Sequence, residues 1–242
     1  MIEAVLFDLD DTLLGNHVDT FVPRYFKLLG AFAAELLPAE QLIQALLACT
    51  RITIQNVDRT RTNYEVFWEA FTARTGLDTA VAEPFFARFY EEVFPQLQAV
   101  TVVRPLARPL VKACLDAGVK VVIATNPLFP RAAIEQRLAW AGTPVTDFDF
   151  ALVTTMENMH TTKPHSLYYA EILQRIGCAP DKALMVGDDW ANDITPAAAL
   201  GIHTFWTPPS AGPAPDANLL AGQGTLDDLY ARVQNGWLSA IE

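Results

Sequence analysis

The chain has 242 residues, of which 51% are hydrophobic, enough to bury a core as one large domain or one domain with an elaboration. Its formal net charge of −11 argues against a nucleic-acid-binding surface, which needs a basic face to neutralise phosphates. No stretch is apolar enough to cross a membrane, and Glu3 stands where a signal peptide would carry positive charge. With three widely spaced cysteines, these features predict a cytoplasmic protein with reduced thiols.

The first apolar run, residues 2–7, is followed at once by three carboxylates, Asp8, Asp10 and Asp11, and by Thr12. This pattern predicts a buried strand that delivers charge to the rim of a sheet, where ligands bind in open α/β folds. Because clustered carboxylates repel one another, they need cations, hydrogen bonds or protons to compensate them.

After a predicted turn at residues 15–16, apolar residues recur at helical spacing as far as about residue 98. Four helices are predicted, within residues 21–37, from Pro38 through Leu47, over residues 63–75 before Gly76, and from a first turn containing Pro84 to near Pro95. Residues 51–62 are predicted to form a long connection. We therefore expect a helical insert without a strand over residues 16–98.

From about residue 102, predicted strands alternate with predicted helices, a pattern typical of βαβ units in a parallel sheet. The strands are predicted over residues 119–124, 150–153, 183–186 and 202–206, the last of the chain. The helices are predicted over residues 105–117, 130–140, 166–176, 193–200 and 226–233, with residues 207–224 as a surface loop. We expect a doubly wound, Rossmann-like parallel α/β core, residues 1–15 and 99–242, with the all-α insert of residues 16–98 as a cap over the acids.

Four polar clusters follow predicted strands and would share one rim of a parallel sheet. They are Asp8 to Thr12, Thr125 with Asn126, Lys163, and the run 187–193, which contains Asp188, Asp189 and Asp193. Each cluster alone has an ordinary explanation, such as a solvated turn, a surface lysine or the start of a helix. Together, carboxylates, one lysine and hydroxyl or amide donors suit Mg²⁺ and a phosphoryl group. A carboxylate can also act as the nucleophile and form an aspartyl phosphate.

The ordered set of motifs resembles the haloacid dehalogenase-like hydrolase superfamily, whose four motifs occur in this order on a doubly wound α/β core. The run DLDDT at residues 8–12 matches its first motif, DxDxT, and Thr125 matches the Thr/Ser of the second. Lys163 matches the third-motif lysine, and GDDWAND at residues 187–193 matches the acidic fourth motif. The resemblance covers essentially the whole chain, including a helical cap inserted after the first motif.

The resemblance implies a role for each matched residue. Asp8 would be the nucleophile and a Mg²⁺ ligand. Asp10 would be the general acid and then the base, with its backbone carbonyl on the metal. Thr125 and the backbone of Asn126 would bind the transferring phosphoryl group, and Lys163 would pair with that group and with Asp8.

The remaining acids are assigned less completely. Asp188 would ligate Mg²⁺ directly, whereas either Asp189 or Asp193 would complete the outer shell or hold Lys163, and the choice stays open. Asp11 has no fixed role in the motif and is expected to be exposed. Thr12 is expected to brace the loop after Asp8.

These assignments predict a Mg²⁺-dependent phosphatase that hydrolyses a small phosphorylated metabolite through an aspartyl phosphate. Asp10 favours this activity over dehalogenation, because an alkoxide leaving group needs a proton and a halide does not. A dehalogenase, a phosphomutase and a catalytically silent binding protein stay open as alternatives, as does the choice between monomer and homodimer. The arginines Arg51, Arg59 and Arg61 either contact the leaving group or merely counter the acidic surface.

Overall fold

The computed structural model describes residues 1–210 and 212–241. Ala211, within the predicted loop 207–224, and Glu242, the end of the predicted core, lie outside the described residues. The described strands are β1 (Ala4–Phe7), β2 (Leu14–Gly15), β3 (Val102–Val103), β4 (Lys120–Ile123), β5 (Leu152–Val153), β6 (Ala183–Gly187), β7 (His203–Trp206) and β8 (Gly222–Gln223). Six of them form one parallel sheet in the order β5-β4-β1-β6-β7-β8, and β2 pairs with β3 in antiparallel fashion.

Strand β1 lies inside the sheet and is buried on both faces. Val5 and Phe7 point into one apolar cluster, and Ala4 and Leu6 point into a second one on the opposite face. Because successive side chains of a strand alternate between faces, an uninterrupted apolar run is what a strand covered by helices on both sides requires. The predicted fold class, a doubly wound parallel α/β sheet, is confirmed.

The described α-helices are α1 (Val18–Phe32), α2 (Ala39–Gln55), α3 (Asn63–Thr75), α4 (Thr79–Glu92), α5 (Ala107–Asp116), α6 (Arg131–Trp140), α7 (Ser166–Ile176), α8 (Thr195–Ala198), α9 (Leu226–Gln234) and α10 (Trp237–Ala240). Shorter 3₁₀ segments cover Phe94–Val100, Pro180–Lys182 and Ala217–Leu219, and a π-helical turn covers Trp190–Ile194. We refer to α1–α4 and the segment Phe94–Val100 as the helical block. None of the helices in the described residues has the length and apolarity that a membrane crossing requires.

The helical block packs onto the sheet layer through one continuous apolar cluster. The ring of Phe94 stacks on that of Trp140 in α6, with centroids 5.5 Å apart and planes inclined by 22°. Asn63, fully buried, donates from Nδ2 to the carbonyl of Thr161 at 3.1 Å, so α3 is also fixed to a loop of the sheet layer. The division of the chain into a core and a cap stays a prediction.

Helix α3 has the predicted bounds because its signals are local. Thr62 and Glu65 form a reciprocal capping box at its start, and Gly76 adopts a left-handed conformation, φ 72°, at its end. Helix α2, in contrast, continues to Gln55, so the predicted connection over residues 51–62 is too long. Pro84 lies beyond the first turn of α4, because the side chain of Asp78 accepts a hydrogen bond from the backbone of Ala80 and starts the helix earlier.

The end of the chain also departs from prediction. The strand 202–206 is not the last one, since β8 follows within the predicted loop and pairs with β7. Gly222 of β8 lies against the ring of Phe205, where a Cβ atom would have a ring carbon at 3.0 Å. A two-residue strand that begins with glycine has no apolar alternation by which sequence analysis could find it.

Candidate active site

The carboxyl ends of three adjacent strands place predicted site residues at one edge of the sheet. Phe7 lies opposite Ile123 of β4 and Val186 of β6, so the three strands end almost level. Asp8 follows β1 directly, Asp188 follows β6 directly, and Thr125 stands two residues beyond β4. The structure thus brings together residues that are more than a hundred positions apart in the chain.

The backbone of the turn after β4 is held by side-chain hydrogen bonds. The carbonyl of Thr125 accepts hydrogen bonds from the hydroxyls of Thr154, at 2.7 Å, and Tyr168, at 2.8 Å. Thr125 itself is buried, and the side-chain oxygen of Asn126 is buried without a hydrogen-bond partner among the described residues. Two of the three predicted phosphate-binding residues, Thr125 and Asn126, therefore lie at this edge, on a turn whose backbone is held in place.

Lys163 reaches the same edge from the loop between β5 and α7. Its Nζ atom lies 2.7 Å from Oδ1 of Asp8 and 2.6 Å from Oδ1 of Asp193. The lysine is 2% exposed, so both ion pairs are shielded from water. A single buried cation thereby ties the loop after β1 to the segment after β6.

The two acids that the sequence left as alternatives occupy different positions. Asp193 is buried and contacts Lys163. Asp189 instead accepts hydrogen bonds from the backbone N–H groups of Ala191, at 2.8 Å, and Asn192, at 3.0 Å, at the start of the π-helical turn. Asp193 is therefore the acid that holds Lys163, and Asp189 caps the turn that delivers it.

Glycine at position 187 is required by the close approach of Asp193. The Asp193 carboxylate folds back over Gly187, and a Cβ atom there would collide with it. The same carboxylate accepts a hydrogen bond from the backbone of Asp189 at 3.1 Å. The glycine of the GDDWAND run thus makes room for the carboxylate that pairs with Lys163.

Three carboxylates surround one positive charge at this edge. Asp8, Asp188 and Asp193 each offer an oxygen, and these oxygens lie within 4.8 Å of one another. Burial raises the pKa of Asp8 and that of Asp188 to about 7, and it also raises the pKa of Asp193. Burial alone would lower the pKa of Lys163, but Asp193 and Asp8 outweigh it and raise that pKa well above its usual value.

The cluster carries an excess of negative charge that a metal ion can balance. With all groups ionised, three carboxylates and one lysine carry a net charge of −2, which a divalent cation balances. Hard carboxylate oxygens are the ligands that Mg²⁺ prefers. Asp8 and Asp188 are the acids best placed to hold it, since both oxygens of Asp193 already accept hydrogen bonds, one from Lys163 and one from the backbone of Asp189, whereas Asp8 uses only one of its oxygens to bind Lys163.

Thr12 and Asp11 both stabilise the loop after β1, but in different ways. Thr12 is buried and donates from its hydroxyl to Oδ1 of Asp188 at 3.3 Å, so it orients an acid of the cluster. Asp11 adopts a left-handed conformation, φ 58°, and accepts from the backbone N–H of Asn16 at 3.0 Å. The expectation that Asp11 is exposed is wrong: its side chain is only 20% exposed, because it closes the turn into β2.

Two residues that sequence analysis missed hold the carboxylate of Asp10. Asn16 donates from Nδ2 to Oδ1 at 2.7 Å, and Nη1 of Arg137 pairs with Oδ2. Arg137 is 2% exposed, its guanidinium lies 4.7 Å from the centroid of the Phe129 ring, and its Nη2 has no partner among the described residues. The available signal was an arginine on the apolar face of a predicted helix, three residues beyond Ile134.

The arginines of the predicted connection face the surface. Arg51 is exposed on α2, and Arg59 donates to the side chain of Gln174 at 3.2 Å. Arg61 pairs with Glu69. These contacts favour the interpretation that they counter the acidic surface over contact with a leaving group.

A family model described as haloacid dehalogenase-like hydrolase matches residues 2–201. The chain belongs to the haloacid dehalogenase-like hydrolases. The predicted family and the predicted enzyme class, a hydrolase, are confirmed.

Relatives of this hydrolase carry different names. Pyrimidine 5′-nucleotidase PynA of Streptococcus pneumoniae is 28% identical over 214 residues, 85% of this chain and 83% of that protein. Haloacid dehalogenase-like hydrolase domain-containing protein 3 of Xenopus laevis is 30% identical over 109 residues, 45% of this chain, and the match spans only 42% of that protein. The crystal structure of 2-haloacid dehalogenase from Pseudomonas syringae superposes with a TM-score of 0.65 at 22% identity and covers 98% of this chain and 100% of that one. The last similarity shows the fold alone.

Divalent metal should stabilise this hydrolase in a pH-dependent way. Folding raises the pKa of Asp8 and Asp188 from the unfolded value of about 4 to about 7, so the stability that their protonation contributes is present at low pH and lost as pH rises through about 7. In EDTA we therefore expect these two groups to lower the melting temperature between about pH 5 and about pH 8. Millimolar Mg²⁺ should raise it most at the higher pH, because the metal binds the ionised native state. Thermal unfolding in both buffers measures this, and equal melting temperatures at about pH 8 would contradict it.

Substitution of Gly187 should disturb the lysine-binding acid selectively. We expect Gly187→Ala to lower the free energy of unfolding by about 1–3 kcal/mol, because the added methyl group displaces Asp193. Gly212→Ala is the matched control, since a Cβ atom at position 212 meets no atom within 4 Å. Denaturant unfolding compares the two variants, and equal stability would refute the close approach at Gly187.

Proposed function

We propose that the protein is a Mg²⁺-dependent phosphatase that hydrolyses a small phosphorylated molecule through an aspartyl phosphate. The observation that carries the proposal is the carboxylate of Asp8, which pairs with Lys163 and lies in one cluster with the acids Asp188 and Asp193. Buried positive charge beside a carboxylate is what attack on an anionic phosphoryl group needs. PynA, a similar protein over most of the chain, is named as a nucleotidase, which supports a phosphate ester as substrate.

In the proposed first step, the Asp8 oxygen that is not bound to Lys163 attacks phosphorus. An O–P bond forms to Asp8, and the P–O bond to the leaving group breaks. Asp10, which must enter this step in its protonated form, gives its proton to the departing alkoxide oxygen. In the second step, Asp10 takes a proton from water, the water oxygen attacks phosphorus, and the bond to Asp8 breaks to release inorganic phosphate.

The neighbouring residues would hold the phosphoryl group during both steps. Lys163 would contact a phosphoryl oxygen while it remains paired with Asp193. The Thr125 hydroxyl and the Asn126 backbone would donate to other oxygens, from a turn fixed by Tyr168. Mg²⁺, when bound to Asp8, Asp188 and the backbone carbonyl of Asp10, would offset the repulsion between a carboxylate and the anionic phosphoryl group.

Asp10 also supports phosphate over halide as the leaving group. A halide leaves without a proton, whereas an alkoxide must be protonated as it leaves. A carboxylic acid at the position of Asp10 is therefore needed only for the second kind of leaving group. The buried Arg137 and Asn16 both orient the carboxylate of Asp10. The structural match to a dehalogenase concerns the fold and does not weigh against this assignment.

Release of inorganic phosphate tests the nucleophile. With Mg²⁺, we expect the wild type to hydrolyse at least one compound in a panel of phosphorylated metabolites that includes pyrimidine nucleoside monophosphates. Asp8→Asn, which keeps the shape but removes the nucleophilic charge, should lower kcat by at least about a thousandfold. Asp227→Asn, an exposed change on α9, is the control. Chloride release from 2-chloropropionate without any phosphate release would instead identify a dehalogenase.

Arg137 should act on the reaction through Asp10. Arg137→Met retains much of the apolar stem but removes the cation that orients Asp10, so kcat should fall about tenfold to a hundredfold while KM changes little. Arg137→Lys keeps the charge and should restore part of the lost rate. Arg131→Gln, an exposed change on the same helix, is the control. Steady-state kinetics on the accepted substrate measures these effects, and a change confined to KM would exclude the positioning role.

A further inference from the structure

A large cavity lies between the helical block and the sheet layer, apart from the acid cluster. Its volume is about 710 Å³, and side chains from α1, α2, α3 and α4 all line it. The floor is formed by residues 128–130, which precede α6, together with Ala132 and Met156. Among the described residues, none of the carboxylates of the acid cluster and no atom of Lys163 lines this space.

The cavity opens to solvent, since Leu47 and Glu91 of its lining are exposed. Its volume falls within the range of small-molecule sites, which enclose roughly 300–1,000 Å³. The bundle is held across the cavity, because the Tyr64 hydroxyl of α3 donates to the Glu83 carboxylate of α4. The space is therefore a defined site between facing helices, which is where bundles bind their ligands.

The walls suit an aromatic body. Phe67 and Trp68 line the cavity and stay half-buried although both are apolar. Trp68 meets Phe71 edge to face, with centroids 5.6 Å apart and planes at 85°, and Tyr64 lies 6.2 Å away at 60°. Aromatic rings prefer such inclined arrangements, and a ring inserted among them would gain contacts of the same kind.

The charges that line the cavity are all negative. Glu83, Glu91 and Glu157 contribute to its lining, whereas no lysine or arginine does so in the part of the chain that the structure describes. Burial, the hydrogen bond to Glu83 and the charge of Glu157 together raise the pKa of Tyr64, so both carboxylates act at the same end of the cavity. An anionic ligand would be repelled there, and a cation would be attracted both by the carboxylates and by the aromatic faces.

We propose that this cavity is a second binding site, which takes a small aromatic molecule with a positively charged group. The ring would lie among Phe67, Trp68 and Phe71, and the cation would face Glu83, the half-buried carboxylate of the lining. The site is distinct from the one that would bind a phosphate ester, because neither Lys163 nor any carboxylate of the acid cluster lines it. The proposal goes beyond the proposed phosphatase activity and does not depend on it.

Three naphthalene probes of nearly equal size test the proposal by isothermal titration calorimetry on the full chain. They are 1-naphthylmethylamine, which is cationic at neutral pH, neutral 1-naphthalenemethanol, and anionic 1-naphthoate. We expect the cation to bind at least about tenfold more tightly than the alcohol, and the anion to show no binding. Titrations of the wild type and of Asp8→Asn should agree, so a failure of the phosphatase assignment would leave this result unchanged.

Two variants locate the binding. Glu83→Gln should weaken binding of the cation at least about fivefold and leave that of the alcohol unchanged. Glu92→Gln, on the same helix but outside the cavity, is its control. Leu46→Trp, which fills the cavity from α2, should abolish binding of both probes while circular dichroism shows a folded chain. Failure of every probe to bind, an anion that binds as tightly as the cation, or equal effects of Glu83→Gln and Glu92→Gln would each overturn the proposal.

Discussion

The bridge of Lys163 between Asp8 and Asp193 is the interaction on which the rest of the site depends. It joins segments that follow two neighbouring strands to a loop that precedes α7, and the side chains of Asp8, Asp193 and Lys163 are all buried. Removing one member of a buried charged group costs about 3–5 kcal/mol, because the remaining charges lose their partner. The lysine cannot, however, neutralise three carboxylates, and with all groups ionised two negative charges remain, which a divalent cation would balance.

The surrounding structure buries that bridge and fixes the position of Asp8 at the edge of the sheet. Strand β1 fills both faces of the sheet with apolar side chains, which fixes the height at which Asp8 emerges. The helical block is joined to the sheet layer by the stacked rings of Phe94 and Trp140 and by the buried amide of Asn63. These contacts between the block and the layer involve no charged side chain. Lys163 is therefore paired with the carboxylates of Asp8 and Asp193 and takes no part in joining the block to the layer.

Much of this arrangement could be predicted because its signals are local. Apolar runs that end in acids predicted the strands, and Gly76 predicted the end of α3. The choice between Asp189 and Asp193 could not be predicted, because both lie in one short run and only the π-helical turn separates their directions. Arg137 was missed for a related reason: its partner Asp10 is 127 positions away in the chain, a pairing that only the tertiary fold creates.

The hydrogen bonds that hold Asp10 come from both sides of the boundary between the helical block and the sheet layer. One of its oxygens is bound by Asn16, which stands where the chain leaves the sheet layer to enter α1, and the other by Arg137 of the layer itself. A displacement of the helical block that moved Asn16 would change the hydrogen bonding of the Asp10 carboxylate, whereas Asp8 is held by Lys163, which is not part of the block. The orientation of the Asp10 carboxylate is therefore coupled to the position of the helical block. Under the proposed mechanism, a substrate that reached Asp8 without moving the block would meet Asp10 with both carboxylate oxygens already hydrogen-bonded.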